Sequence, residues 1–158
     1  MARIGESRQS KALAEEIEKS EATRTILNVY WLPVIRAAND LRSNDPSQTF
    51  VDLEPTVPYE LTPDGNLYPA YIRGEAYLRV HNPTAAAAEF QKIVDHKDIV
   101  TNFVTGALAH LQIGRAYAMS GDIAKAKGAY EEFLALWKNA DPDVPILTQA
   151  KAEYEKLQ

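Results

Sequence analysis

Gly74, Tyr77, Ala86 and Phe90 recur forty residues later as Gly114, Tyr117, Ala126 and Tyr130, and no other feature of the chain constrains its fold so tightly. A small residue, an aromatic three on, an alanine nine further and an aromatic four beyond that describe two helices joined by a tight turn. The small side chains let the helices approach, and the rings fill the space that remains. Composition agrees with helix: glycine is scarce at 7 residues, alanine is abundant, and β-branched residues never form alternating runs. With 158 residues, 46% of them hydrophobic, the chain can bury a core of its own and fits one domain.

A first helix is expected over residues 6–20, with Leu13, Ala14 and Ile17 on its docking face. A second should begin within residues 21–25 and run to about Arg42, and Pro33 should either kink it or delay its start to near Tyr30 or Trp31. Asp45 reads as the cap and Pro46 as the first residue of a short helix over residues 46–53. Residues 54–66 hold three prolines and a Pro-Asp-Gly signal, which predicts the main irregular loop. Helices are then expected over residues 67–80, 83–96, 103–119 and 122–138, with Asn82 as a cap and Ser120-Gly121 as a tight turn. A last helix over residues 145–157 carries Leu147, Ala150, Tyr154 and Leu157 on one side and turns Lys151, Glu153, Glu155 and Lys156 away. That pattern suits a helix capping an exposed repeat face.

Residues 107–137 resemble a tetratricopeptide repeat at nearly every defining position: Gly114 at the small eighth, Tyr117 at the eleventh, Gly121 at the turn, then Ala126, Tyr130 and Phe133. His110 departs from the large aromatic often found at its place. Residues 67–96 match through Gly74, Tyr77, Ala86, Phe90 and Ile93, with His81 in place of the turn glycine and the Asn82-Pro83 pair expected to turn the chain instead. The offset of forty exceeds the family's usual thirty-four by six, and residues 97–103 account for that insertion. A degenerate copy can be laid over residues 25–56, with Ala37 at the small position and Leu53 at the second aromatic one, while Asp40 and Thr49 break its pattern. Residues 1–20 look like the second half of a hairpin whose first half is missing. The resemblance implies an all-α, right-handed superhelix of antiparallel helix hairpins in one domain, closed by the capping helix at residues 145–157. The last ninety or so residues also resemble the carboxyl-terminal repeat regions attached to eukaryotic-like serine/threonine kinases of some soil bacteria. The kinase itself is not in this chain, which has no glycine-rich loop, HRD-type loop or DFG triplet.

Several classes of function find no support in the residues. A net charge of -5 without a Lys/Arg cluster argues against nucleic acid as a partner. The chain has no cysteine, hence no thiol chemistry or disulfide framework. Its first twenty residues are charged throughout and nowhere do eighteen apolar residues run together, so neither a signal peptide nor membrane insertion is expected, and the cytoplasm is the expected compartment. His81 and His96 lie at opposite ends of a helix about 20 Å long and cannot share a metal, and His110 reads as packing. Asp141 and Asp143 flank Pro142 as a carboxylate pair and read as capping and solvating the final helix. Serines such as Ser120 have no neighbouring His and Asp arrangement. No catalytic, cofactor-binding or metal-binding residue is therefore assigned, and no enzyme activity is expected.

Binding has better residues. In the family the first helix of each hairpin lines a concave groove, which the resemblance carries onto Tyr68, Tyr71, Glu75, Leu78 and Arg79, and onto Leu108, Leu111, Arg115, Ala118 and Met119. From the degenerate copy, Trp31, Val34, Ala38, Leu41 and Arg42 continue it. Aromatics and arginines are common at interface hot spots. The alternative for Tyr71, Leu108 and Leu111 is packing against a neighbouring helix. The lysine and asparagine with which related domains clamp a free chain terminus are replaced by Val34 and Ala38, Tyr71 and Glu75, and Leu111 and Arg115, which argues against a chaperone-tail adaptor. The expectation is a non-catalytic protein interaction module that binds a peptide or protein in this groove. The other reading is a regulatory or self-associating tail of a kinase-like protein, with a homo-oligomer as its form.

Overall fold

The computed structural model describes residues 7–20, 25–62 and 65–158. In it α1 spans Ser7–Ser20, α2 Leu32–Arg42, α3 Pro46–Leu53, α4 Tyr68–Arg79, α5 Pro83–Asp95, α6 Lys97–Val100, α7 Val104–Ser120, α8 Ile123–Leu136 and α9 Pro145–Glu155. No strand occurs among the described residues, and neighbouring helices pack antiparallel. The expected start of α1 at Glu6, the start of the second helix within residues 21–24, and the Pro63 and Asp64 of the loop signal lie outside the described residues.

The pairs α2/α3, α4/α5 and α7/α8 are closed by one and the same turn. Asn44, His81 and Gly121 each take the left-handed region, at φ 61°, 56° and 82°. Their N–H groups reach back to the carbonyls of Leu41, Leu78 and Ala118, at 3.2, 3.1 and 3.1 Å. The next N–H groups, of Asp45, Asn82 and Asp122, reach Asp40, Tyr77 and Tyr117 at 2.9, 2.9 and 3.0 Å. These bonds satisfy carbonyls that a helix end otherwise leaves open. The same three cap side chains accept from the N–H of Gln48, Ala85 and Lys125, so each starts the following helix.

His81 thus corrects the expectation for its turn. The residue at the glycine place takes the left-handed backbone itself, while Asn82 supplies the second turn bond through its N–H and the cap through its side chain. Gly121→Ala isolates the cost of that conformation, because a Cβ there meets nothing within 4 Å. A loss of about 1 kcal/mol in urea unfolding is expected, and an unchanged midpoint would contradict the argument.

Between the helices of a pair, glycine and ring are matched. A Cβ on Gly74 would lie 2.6 Å from the Phe90 ring, and one on Gly114 would lie 2.8 Å from the Tyr130 ring. In the first pair a smaller side chain on the second helix leaves room for a methyl group, and Ala37 shares a buried cluster with Leu53. Thr49 sits where Ala86 and Ala126 sit and is wholly buried, its hydroxyl donating to the Asp45 carbonyl at 2.9 Å. The polar residue that interrupts the sequence pattern is thereby accommodated.

Asp40, at the place of Tyr77 and Tyr117, is partly buried. Burial, then a hydrogen bond with Asp52 and its charge, pushes the Asp40 carboxyl up to about 6; Asp45 acts in the same sense and Lys11 of α1 opposes it. The folded chain therefore keeps a proton that the unfolded chain loses near pH 4. The stability this contributes is full below about pH 4 and lost as pH rises through about 6. Asp40→Asn should raise stability by about 1 kcal/mol near pH 7.5, a figure discounted for partial exposure, and by clearly less near pH 4.5. Equal shifts of the melting temperature at the two pH values would contradict this.

The connections hold one further departure from expectation, in residues 54–66, and fill in two expected breaks. Ahead of Pro33 the chain makes a π turn, Leu27–Trp31, in which the Leu32 N–H reaches the Leu27 carbonyl, and α2 begins at Leu32. A wider turn suits a proline that cannot donate to the helix behind it. Residues 54–66 are not irregular throughout: Glu54–Tyr59 is a 3-10 helix, with Pro55 in its first turn and Pro58 inside. Proline's fixed φ fits that geometry, and the Thr56 hydroxyl donates to the Leu53 carbonyl at 2.6 Å. Residues 97–103, placed as the insertion, contain α6 and turn back at Thr101, at φ 47°.

The helix α1 docks on α2 through buried Ala14, the Asn39 amide donating to the Ser10 hydroxyl at 3.2 Å, and an Arg36–Glu18 pair at 2.5 Å. Leu13, expected on the docking face, is 39% exposed; Ser10, one turn earlier, is buried instead.

Candidate functional site

The first helices of the three pairs lie side by side, α2 against α4 and α4 against α7. Along them runs an open cleft of about 440 Å³. Its floor is apolar, with Ala38 and Leu41 from α2 and Ile72 and Leu78 from α4. Its polar groups are Arg42, Glu75, Arg79, Gln112 and Arg115, joined by Gln149 and Glu153 from α9. Arg42 and Arg79 come from equivalent places in consecutive pairs, each two residues before the left-handed turn residue.

A continuous set of hydrogen bonds occupies one end of the cleft. Arg115 grips Glu153 with two parallel bonds, Nε to Oε2 at 2.8 Å and Nη2 to Oε1 at 2.9 Å, a fork geometry that carboxylates match well. Its Nη1 donates to Gln112 Oε1 at 3.3 Å, and Gln112 Nε2 donates to the Tyr71 hydroxyl at 3.2 Å and to Glu75 Oε1 at 3.4 Å. The Tyr130 hydroxyl donates to Glu153 Oε2 at 2.8 Å. Four helices, α4, α7, α8 and α9, are joined in this way.

The network keeps its charges. Burial works against the Glu153 carboxylate, but the bonds from Arg115 and Tyr130 outweigh it and hold the carboxyl below its ordinary range. Burial opposes the Arg115 cation too, and Glu153 more than compensates. Burial first, and the Glu153 carboxylate second, push the Tyr130 hydroxyl above the usual tyrosine range, so it stays a donor.

Of the residues assigned to the groove from sequence, Glu75, Arg79 and Arg115 line this cleft, with Ala38, Leu41, Arg42 and Leu78. Tyr71 and Leu111 are in the core instead. Tyr71 is 2% exposed with its ring edge-on to Phe90 at 5.5 Å, and Leu111 is wholly buried in a cluster with Tyr130, Phe133 and Leu147. Both therefore follow the packing alternative. Trp31 and Tyr68 are half-buried and form an aromatic row with Phe103, at 6.5 and 6.1 Å between ring centroids, outside the cleft lining. Met119, 44% exposed near the end of α7, lies outside it as well.

Gln112, Gln149 and Glu153 were not assigned from sequence. Glu153 is the plainest correction, since it was expected to point away from the apolar face of α9 and instead turns inward to Arg115. One signal for it existed: Glu153 follows buried Ala150 by three residues and so shares its side of the helix.

The groups in the cleft can pair with charges and amides above an apolar floor. Among the described residues no three His, Asp or Glu side chains gather as a metal set, and no helix is long and apolar enough to cross a membrane. His110 Nδ1 pairs with Glu132 at 2.6 Å and His96 Nδ1 lies 2.8 Å from the Lys92 carbonyl, and neither residue lines the cleft. Asp141 and Asp143 are exposed, and α9 starts at Pro145 with Val144 as its N-cap and no side-chain cap, which corrects their expected capping role.

No family model, no curated protein and no solved structure matches the chain.

Proposed function

We propose that the chain is a tetratricopeptide-type array, a right-handed superhelix of three hairpins with α9 as its cap, and that it works as a non-catalytic protein interaction module. Its ligand is a peptide or protein segment held in the cleft along α2, α4 and α7. The observation that carries this reading is the repeated turn, which brings the first helices of all three pairs to one side and lines that side with arginine, glutamate and amide groups. Such groups above an apolar floor give a protein ligand both area and orientation.

The test is capture of binding proteins from native lysate. Arg42→Ala/Arg79→Ala removes two exposed cations, and Gln91→Ala, exposed on the outer helix α5, is the control. The double variant should lose most of the captured protein at an unchanged melting temperature, while the control retains it. Identical capture by all three proteins would remove the cleft from the account.

A further inference from the structure

The cleft already holds two carboxylates of the same chain, Glu75 of α4, which accepts from Gln112, and Glu153 of α9, which an arginine grips. Glu153 of α9 reaches Arg115 with a two-bond grip, and Gln149, one turn earlier on α9, faces the same space. That Glu153 carboxylate is a side chain in the last turn of α9 and not a chain end. Beyond α9 the cleft continues over α4 and α2, where Arg79 and Arg42 recur at equivalent places and Leu41, Ile72 and Leu78 also line it. The Arg79 guanidinium is steadied there by Asn44 of the preceding turn, at 3.1 Å.

From this arrangement we infer that the ligand is an acidic amphipathic helix, laid in the open part of the cleft as α9 is laid at its end. Side-chain carboxylates one turn apart meet Arg79 and Arg42, and the aliphatic residues between them rest on Leu41, Ile72 and Leu78. Charge complementarity selects this occupant: three arginines line the cleft against two glutamates, and arginine forks take carboxylates in pairs of parallel bonds, as Arg115 does. No free chain terminus is required. This inference rests on the proposed interaction function and adds the chemistry of its ligand.

The test uses the full chain and a defined probe: a fluorescein-labelled helical peptide with stripes of glutamate and leucine, amidated at its carboxyl end, and its Glu→Gln twin. Fluorescence anisotropy should show the glutamate peptide binding at least about tenfold more tightly than the twin. Arg42→Ala/Arg79→Ala should weaken it by about tenfold, and Arg42→Lys/Arg79→Lys should restore part of the affinity by keeping the charge. Equal binding of the two peptides, unchanged affinity in the alanine variant, or no binding of the glutamate peptide would each overturn the inference. If that happens while Arg42→Ala/Arg79→Ala still abolishes capture from the lysate, the interaction module stands and only this ligand chemistry falls.

Discussion

Phe90→Ala is expected to destabilise the chain by about 4 kcal/mol, a large share of what a domain of this size has. Phe90 is wholly buried, and its ring lies edge-on to Tyr71 at 5.5 Å, within the cluster that joins α4, α5 and α7. The loss combines the transfer of a large ring with a cavity that its neighbours cannot close, because Gly74 opposite has no side chain to move in. The same geometry predicts the reverse experiment. Gly74→Ala puts a Cβ 2.6 Å from the Phe90 ring, at the side of a ring held within a packed core, and should cost about 2 kcal/mol. Combined with Phe90→Leu, the alanine should be tolerated better than the two single costs imply, by about 1 kcal/mol in a double-mutant cycle. Additive losses would mean that the glycine and the ring are not matched across the hairpin.

Arg73→Ala should cost about 3–5 kcal/mol, by a different mechanism. Arg73 leaves α4 on the side away from the cleft and is bonded by the carboxylate of Glu60, while its Nε lies 3.1 Å from Glu89 of α5. All three side chains are nearly out of water, at 11, 6 and 12% exposed. Burial disfavours the guanidinium charge, but Glu60 and Glu89 together hold its pKa above the ordinary arginine value. Removing the arginine leaves the Glu60 carboxylate buried without its cation, whereas Glu89 keeps Lys92 at 2.8 Å, and the stranded Glu60 accounts for most of the expected loss. The arginine also ties the segment after Glu54–Tyr59 to the α4/α5 pair, so that segment should become the first point of proteolytic cleavage in the variant. A triple change, Glu60→Gln, Arg73→Met and Glu89→Gln, should recover much of the stability. If Arg73→Ala unfolds at the same urea concentration as the parent, the triad is not what holds this segment.

The helices were legible wherever their determinants are local. Asp45-Pro46, Asn82-Pro83 and Asp122 mark three helix starts because a cap and its acceptor lie within three residues of each other. The Gly74/Phe90 and Gly114/Tyr130 matches were legible because one spacing occurs twice. Contacts set by how the pairs stack were not legible. Glu153 finds Arg115 and Glu60 finds Arg73 only after the helices have packed, and in α9 Glu153 looks like any other charge on an outer face. His81 was misread because histidine carries no local sign of a left-handed backbone. Its role emerges only when its turn is set beside that of Gly121. Of the residues assigned to a groove, Glu75, Arg79 and Arg115 line the cleft between the first helices, whereas Tyr71 and Leu111 lie in the core, because positions along a helix do not tell which of two buried flanks a ring or leucine will choose.

Arginine footprinting on the chain bound to a captured partner tests the assignment of the binding face most directly. Labelling by phenylglyoxal, mapped by mass spectrometry, reads Arg42 and Arg79 in the cleft against Arg36, which faces α1 and is 44% exposed. The partner should shield Arg42 and Arg79 and leave Arg36 as reactive as before; equal labelling of Arg42 and Arg79 with and without the partner would place the binding face elsewhere.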